Sequence, residues 1–218
     1  MKKNLTEIVY ILDRSGSMAG LEQDTIGGFN AMIRKQQQEP GEAYVSTVLF
    51  DHESQVIHDR LSLHRVPLLT EREYYVRGCT ALLDAVGGAI HHIRNVHRYA
   101  REEDRPEKTL FVITTDGMEN ASRRYSYDQV QRMIREQTET YGWEFLFLGA
   151  NIDAAREAGR LGIREDRAAN YHADSKGSDV VYESITEAVC QFRGGQAPLS
   201  VDWKAKIDAD YHKRKKWN

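Results

Sequence analysis

Short apolar runs alternate along the chain with longer segments in which apolar residues recur every third or fourth position. A continuous apolar run is typical of a strand buried on both faces of a parallel sheet, and the longer periodicity is typical of an amphipathic helix. Strands are predicted over 8–12, 45–50, 55–59, 110–114, 143–148 and 168–172. Helices are predicted over 21–33, 81–93, 126–134, 154–161 and 181–192.

Polar residues mark where several of these elements begin and end. The link 51–54 is short and polar, which predicts a hairpin between the two strands beside it. Ser126 and Gln129 have the spacing of a capping box and predict the start of a helix. The charged stretch 97–108 is expected to be a frayed helix end followed by a surface loop. No periodic pattern continues beyond Pro198, where we expect no further element.

The order of the elements predicts the fold class. Strands that alternate with helices indicate an α/β fold with a doubly wound, mainly parallel central sheet and helices on both faces. The predicted hairpin adds one antiparallel edge strand. We assign residues 1–195 to a single domain and residues 196–218 to a C-terminal tail rich in basic and aromatic side chains.

Composition narrows the classes of protein that this chain can be. Its 218 residues include 30 Lys and Arg against 33 Asp and Glu, and this net charge of −3 disfavours a dedicated nucleic-acid binder. No apolar run approaches the ~20 residues of a membrane span, and the first residues do not have the pattern of a signal peptide. Cys79 and Cys190 match no zinc or redox spacing, so we expect both to be reduced. A cytoplasmic protein is the expectation.

Polar side chains follow two of the buried strands and precede one of the helices. Asp13, Ser15 and Ser17 come directly after the first strand, Asp116 follows the strand over 110–114, and Thr80 stands before the helix over 81–93. Ligands of doubly wound sheets bind at the carboxyl ends of the strands, where these residues are expected to meet. An all-oxygen set with two carboxylates suits Mg²⁺, Mn²⁺ or Ca²⁺ and disfavours zinc and copper.

The same five residues resemble the metal-ion-dependent adhesion site (MIDAS) of von Willebrand factor A (VWA) domains. That pattern is Asp-x-Ser-x-Ser, a distant Thr and a distant Asp, and this sequence matches it at Asp13, Ser15, Ser17, Thr80 and Asp116. The resemblance implies a Rossmann-like VWA fold over residues 1–195 and one Mg²⁺ or Mn²⁺, with Ca²⁺ less favoured. It implies that the two serines ligate the ion directly, that Thr80 joins when a ligand binds, and that the two aspartates act directly or through water.

Resemblance to this family also implies a function. The remaining coordination position would take a Glu or Asp carboxylate of a partner protein, so the chain would be a protein-binding module and not an enzyme. A small stand-alone chain is most similar to bacterial and phage-borne members, including the tellurium-resistance type, whose role is assembly. Five neighbouring residues could form a rim that contacts the partner, although turn or cap roles are the alternative: Arg14, Asp51, His52, Glu119 and Asn120.

Two other functions remain open from the sequence. A divalent ion beside aspartates at strand ends also describes metal-dependent phosphoester hydrolases, for which His52 is the nearest candidate base. Against that function, Ser15 stands where such sites place a second acidic residue. The tail interleaves Trp203, Tyr211 and Trp217 with basic residues, a composition that can dock on nucleic acid or an anionic surface.

Overall fold

A computed structural model describes residues 1–195 and 198–215. The strands are β1 (Lys2–Asp13), β2 (Glu42–Phe50), β3 (Ser54–Ser62), β4 (Pro106–Thr115), β5 (Glu144–Ala150) and β6 (Ala168–Tyr171). The α-helices are α1 (Glu22–Gln38), α2 (Leu82–Tyr99), α3 (Tyr127–Tyr141), α4 (Ala154–Arg160), α5 (Ser175–Arg193) and α6 (Ala205–Lys215). In these described parts, no helix is both long and apolar enough to cross a membrane.

All six strands form one sheet in the order β3-β2-β1-β4-β5-β6. β1 pairs in parallel with both β2 and β4, and β5 and β6 continue the parallel arrangement. Only β3 is antiparallel, paired with β2 at the edge of the sheet. The predicted doubly wound α/β fold with one antiparallel edge strand is confirmed. Strand order changes direction at β1, so the carboxyl ends of β1 and β4 flank the position where such folds bind ligands.

The core lies in two layers, one on each face of the sheet. Successive side chains of a strand point to opposite faces, and in β1 Tyr10 and Leu12 belong to one layer while Val9 and Ile11 belong to the other. Helices α1, α5 and α6 cover the first face, and α2, α3 and α4 cover the second. Burial on both sides explains why β1 and β4 read as continuous apolar runs.

The predicted capping box at the start of α3 forms. The Ser126 hydroxyl accepts a hydrogen bond from the backbone N–H of Gln129, and the Gln129 side chain accepts one from the Ser126 N–H. α3 ends at Gly142, whose φ of 66° is the left-handed conformation that glycine adopts without a steric penalty. Asp153 and Asp174 cap α4 and α5, each by accepting one hydrogen bond from the backbone N–H three residues further on.

The edge strand β3 is irregular. Its register with β2 shifts on both sides of Thr47, and Arg60, two residues before the end of β3, has a φ of 47°. The Arg60 backbone N–H donates to the Ser46 hydroxyl, and its guanidinium donates to the buried Glu7 carboxylate across the sheet. These bonds hold the distorted segment against β1 and β2.

The expectation that no element follows Pro198 is wrong. A short 3₁₀ turn over 201–204 leads into α6, and Trp203 is buried with its indole N–H donating to the Asp166 carbonyl 2.8 Å away. Ile207 is buried on the same face. Because these two are the segment's main apolar anchors, the sequence shows no helical periodicity here. Trp217 and the end of the predicted tail lie outside the described residues.

The stretch 97–108 is also more ordered than predicted. α2 runs through Tyr99, and β4 already begins at Pro106. His97 is buried with its ring edge against Trp143, the two ring centroids being 5.4 Å apart. This contact could not be predicted from the local sequence pattern because its two residues lie far apart in the chain.

Candidate metal centre

Three loops meet at the switch point of the sheet. Asp13 ends β1, Ser15 and Ser17 lie in the turn that follows, Asp116 comes directly after β4, and Thr80 precedes α2. A methyl group placed on Gly117 would lie 3.1 Å from the Thr80 hydroxyl and 3.3 Å from the Ser17 hydroxyl. The structure therefore brings together all of the predicted metal ligands, which come from three separated parts of the chain.

Asp13 is held in place by the residues around it. Its Oδ1 accepts a hydrogen bond of 2.7 Å from the Ser15 backbone N–H, and its Oδ2 accepts one of 2.6 Å from the Thr115 hydroxyl. The Tyr74 hydroxyl donates to the Asp13 carbonyl at 2.5 Å. Both carboxylate oxygens are thus engaged by the protein, which fixes the orientation of this side chain.

The two serines and Asp116 form a continuous row of oxygen atoms. The hydroxyl oxygens of Ser15 and Ser17 are 3.0 Å apart, and the Ser17 hydroxyl donates to Asp116 Oδ1 at 2.5 Å. Asp116 Oδ2 is buried and has no hydrogen-bond partner among the described residues. A buried carboxylate oxygen without a partner is costly, so this atom indicates a missing cationic or hydrogen-bonding group.

Burial also changes the acidity of the two aspartates. It raises the pKa of Asp13 to about 6 from an ordinary value of 3.8, and the hydrogen bonds from Thr115 and Ser15 only partly oppose it. Burial raises the pKa of Asp116 as well, although the bond from Ser17 lowers it in part. Ser17 is exposed, whereas the other predicted ligands are buried, so the site is open to solvent at Ser17.

The donor set fits a hard divalent cation. It consists of carboxylate and hydroxyl oxygens, which Mg²⁺, Mn²⁺ and Ca²⁺ prefer, and its two carboxylates match the charge of one such ion. Over residues 1–195 and 198–215, no three His, Cys, Asp or Glu side chains cluster in a way that could hold a metal. An ion at the switch point would therefore depend on the hydroxyls of Ser15, Ser17 and Thr80 as well as on the aspartates.

The raised pKa of Asp13 predicts an unusual pH dependence of stability. In metal-free protein, folded Asp13 keeps its proton up to about pH 6, whereas the unfolded carboxyl loses it near pH 3.8. The free energy of unfolding should fall by up to about 3 kcal/mol as pH rises through this window, because the unfolded state then binds fewer protons. Urea unfolding in chelator across this range, compared with Asp13→Asn, isolates the contribution of Asp13.

Added Mg²⁺ should reverse that trend. The ion competes with the proton for the carboxylates, so it should raise the urea midpoint above about pH 6 and have little effect near pH 4. The difference in unfolding free energy between wild type and Asp13→Asn should change with pH. A constant difference would contradict the buried environment described for the Asp13 carboxyl.

Arg14 and Asp51 do not lie on a partner-binding rim, and that prediction is wrong. Both side chains are fully buried, and the Arg14 Nε donates to Asp51 Oδ2 at 2.8 Å. Arg77 donates to the same oxygen from the neighbouring loop. Burial alone would raise the pKa of Asp51, but hydrogen bonds from Arg77, the Glu53 N–H and Arg14 lower it overall. The pair joins the turn after β1 to the turn after β2.

The other three predicted rim residues differ in exposure. Glu119 is partly buried, and its carboxylate accepts hydrogen bonds from the backbone of Leu83 at the start of α2 and from its own loop. Asn120 is exposed, and its side-chain oxygen accepts from the Thr80 N–H. His52 is exposed, with Nδ1 2.9 Å from Asp51 Oδ1. Glu119 and Asn120 therefore hold the Thr80 loop, and a partner could reach His52 and Asn120.

Three residues outside the predicted ligand set also organise the centre. Thr115 and Tyr74 fix Asp13, as described above. Asp84 accepts backbone hydrogen bonds from Arg123, Arg124 and Tyr125, which ties the loop after β4 to the first turn of α2. Thr115 carries a signal, since it is the last residue of a buried strand and directly precedes Asp116. Nothing in the sequence around Tyr74 indicates its contact.

Comparison with solved structures finds proteins of one fold. Proximal thread matrix protein 1 from the mussel byssus, in a structure with a zinc-occupied MIDAS motif, aligns at a TM-score of 0.59 and 14% identity over 85% of this chain and 46% of its own. A von Willebrand factor type A structure from Catenulispora acidiphila aligns at 0.55 and 13% identity over 85% and 42%. A paralog of ArnB from Sulfolobus acidocaldarius aligns at 0.52 and 16% identity over 86% and 45%.

This chain thus spans less than half the length of these structures. No protein-family model and no curated protein matches it.

Proposed function

We propose that this chain, which has the von Willebrand factor A fold, is a metal-dependent protein-interaction module. In this proposal Asp13, Ser15, Ser17, Thr80 and Asp116 hold one Mg²⁺ or Mn²⁺, and the ion takes an acidic side chain of a partner protein. The observation that carries the proposal is the row of serine and aspartate oxygens that ends in the buried, unpartnered Asp116 Oδ2. The zinc-occupied motif of a structure with the same fold supports a divalent ion at this position.

The residues of the centre have different tasks. Asp13 is already bonded through both oxygens to Ser15 and Thr115, so it fixes the loop and contributes negative charge. The Ser15 and Ser17 hydroxyls have lone pairs to offer a cation, and the exposure of Ser17 leaves that side open to a partner. Asp116 Oδ2 offers a charged oxygen that no other side chain of residues 1–195 and 198–215 uses.

Charge balance explains why the partner group would be a carboxylate. Asp13 and Asp116 together carry −2 when ionised, so without a cation they repel any acid that approaches. A bound divalent ion supplies a Lewis-acidic centre that cancels this charge and favours a further oxygen ligand. The chain's own contribution is to hold Thr80 nearby, through the bonds between its loop and Asn120.

We infer binding and not catalysis for this site. A base beside the reacting water would assist a hydrolase, and the candidate base, His52, has Nδ1 against the buried Asp51 carboxylate. The bacterial cytoplasm as the setting belongs to the same proposal and depends on the sequence resemblance alone.

A metal-dependent retention experiment tests the proposed function. Immobilised chain should retain a specific partner from bacterial extract in Mg²⁺ or Mn²⁺, and chelator should release it. Asp13→Ala should abolish retention, whereas Asp128→Asn, which changes an exposed carboxylate on α3, should not. Retention that survives chelator would contradict the proposal, and metal-dependent turnover of a phosphoester panel would favour the hydrolase.

A further inference from the structure

A cavity lies at the end of the sheet opposite to the metal centre. It is lined by the C-terminal ends of α2 and α3, by the first residues of β4 and by Trp143 before β5, and its volume is about 590 Å³. This volume falls within the range of 300–1,000 Å³ that is usual for small-molecule sites. Neither the metal ligands nor their supporting residues line this cavity, called here the α2–α3 cleft.

Two polar side chains of the α2–α3 cleft have buried atoms without a partner. Gln137, on the last turns of α3, is 1% exposed, and neither its amide nitrogen nor its amide oxygen has a hydrogen-bond partner among the described residues. Nε of Arg105, the residue before β4, is also buried and has no hydrogen-bond partner among the described residues. Because buried polar groups are normally paired, these atoms point to hydrogen bonds that the described residues do not supply. The Gln137 amide is covered in this conformation, so the side chain would have to turn to meet a ligand in the cleft, and that rotation would break no hydrogen bond to a described residue.

Aromatic side chains form part of the wall. Trp143 is buried and rigidly held, since its ring stacks on Phe111 at 5.4 Å and meets the edge of His97 at the same distance. Tyr141 lines the same cleft and is 57% exposed. The exposed Tyr141 ring, in a cleft that is also lined by a residue with an unpaired amide, suits a planar ring with a donor and an acceptor on adjacent atoms.

The charges of the α2–α3 cleft are close to balanced. Among the described residues, the Met1 α-ammonium and three arginines line it together with three glutamates: Arg94, Arg98, Arg105, Glu102, Glu107 and Glu136. Two pairs are already in contact, with Arg94 3.5 Å from Glu136 and the Met1 nitrogen 4.0 Å from Glu102. A polyphosphate would need a large excess of positive charge, so this near-balance favours a ligand without a large net charge.

We propose that the α2–α3 cleft binds a purine base or nucleoside. The Gln137 amide would pair with an adjacent donor and acceptor on the purine, as glutamine does with adenine in other complexes. Tyr141 would stack on the ring, and Arg105 Nε would donate to the sugar or to a ring nitrogen. This site would be independent of the metal centre and of the partner proposed for it.

Titration of the full chain with adenosine tests this inference by NMR. The side-chain NH₂ resonances of Gln137 and the indole resonance of Trp143 should shift saturably, with ribose as the negative control. Gln137→Leu keeps the size of the side chain and removes both hydrogen-bonding atoms, so it should weaken adenosine binding by about tenfold or more. Tyr141→Ala, at an exposed position, should weaken it similarly, and Glu139→Ala on the outer face of α3 should have no effect.

Three results would overturn the inference. The first is no saturable shift up to about 10 mM adenosine, which would leave the cleft filled with water alone. The second is equal affinity in wild type and in both the Gln137→Leu and Tyr141→Ala variants. The third is tighter binding of AMP than of adenosine through the arginines alone, which would make the cleft a phosphate site.

Discussion

Replacing Asp116 with asparagine is expected to lower the affinity of the chain for Mg²⁺ at least about a hundredfold. Outer-shell substitutions at metal sites already cost 10- to 100-fold, and this one removes one of the two negative charges of the centre. Asparagine keeps an oxygen that can accept the bond from Ser17, so the loop should keep its conformation. Calorimetric titration with Mg²⁺ and Mn²⁺ measures the change directly.

The control for this variant is another Asp→Asn substitution at a distance from the site. Asp128 is exposed on α3, and its replacement should leave metal affinity unchanged. Unfolding in urea with chelator present should show that Asp116→Asn is at least as stable as wild type, because burial raises the pKa of Asp116 and thus disfavours its charge. Unchanged Mg²⁺ affinity in Asp116→Asn would show that the metal binds elsewhere.

Replacing Arg14 with methionine is expected to destabilise the chain by about 3–5 kcal/mol. The substitution leaves the Asp51 carboxylate fully buried after it loses the charged donor at 2.8 Å, and an uncompensated buried charge carries a cost of this size. Arg77 still donates to Asp51, so the lower part of the range is expected. Urea unfolding measures the loss. The slope of the unfolding free energy against urea concentration should be the same in both proteins.

An exposed ion pair provides the matched control. Arg164 pairs with Asp166 at the surface, and Arg164→Met should change the free energy of unfolding by less than about 1 kcal/mol. The double variant Arg14→Met with Asp51→Leu should recover much of the stability, since it removes both buried charges together. A cost below about 1 kcal/mol for Arg14→Met alone would contradict the structural role of this pair.

The fold could be predicted from the sequence because its elements have strong local signals. Central strands such as β1 and β4 are buried on both faces and therefore appear as unbroken apolar runs. The helices over Ala81 to Ile93 and Val181 to Phe192 present apolar residues at regular helical spacing. α6 escaped prediction because it is attached by Trp203 and Ile207 and otherwise shows a polar surface.

The candidate metal site was predictable to the extent that its residues lie at strand ends. Asp13 is the last residue of β1 and Asp116 directly follows β4, and these strands are neighbours in the sheet, so both residues must lie at the same edge. The sequence pattern gives residue types and spacing, but not which side chain faces outward. Arg14 and Asp51 follow adjacent strands and pair with each other in the interior. Their positions in the sequence alone do not distinguish this buried pair from two exposed charges.

The irregular hairpin at the edge of the sheet affects how the molecule behaves beside its own copies. A long, straight edge strand would expose unpaired backbone N–H and C=O groups. A strand of a second molecule could pair with these groups, which is the first step of edge-to-edge aggregation. The shifts beside Thr47 and the left-handed backbone of Arg60 interrupt that ladder partway along β3. At the far edge, β6 is only four residues long. Self-association through lateral strand addition is therefore disfavoured at both margins.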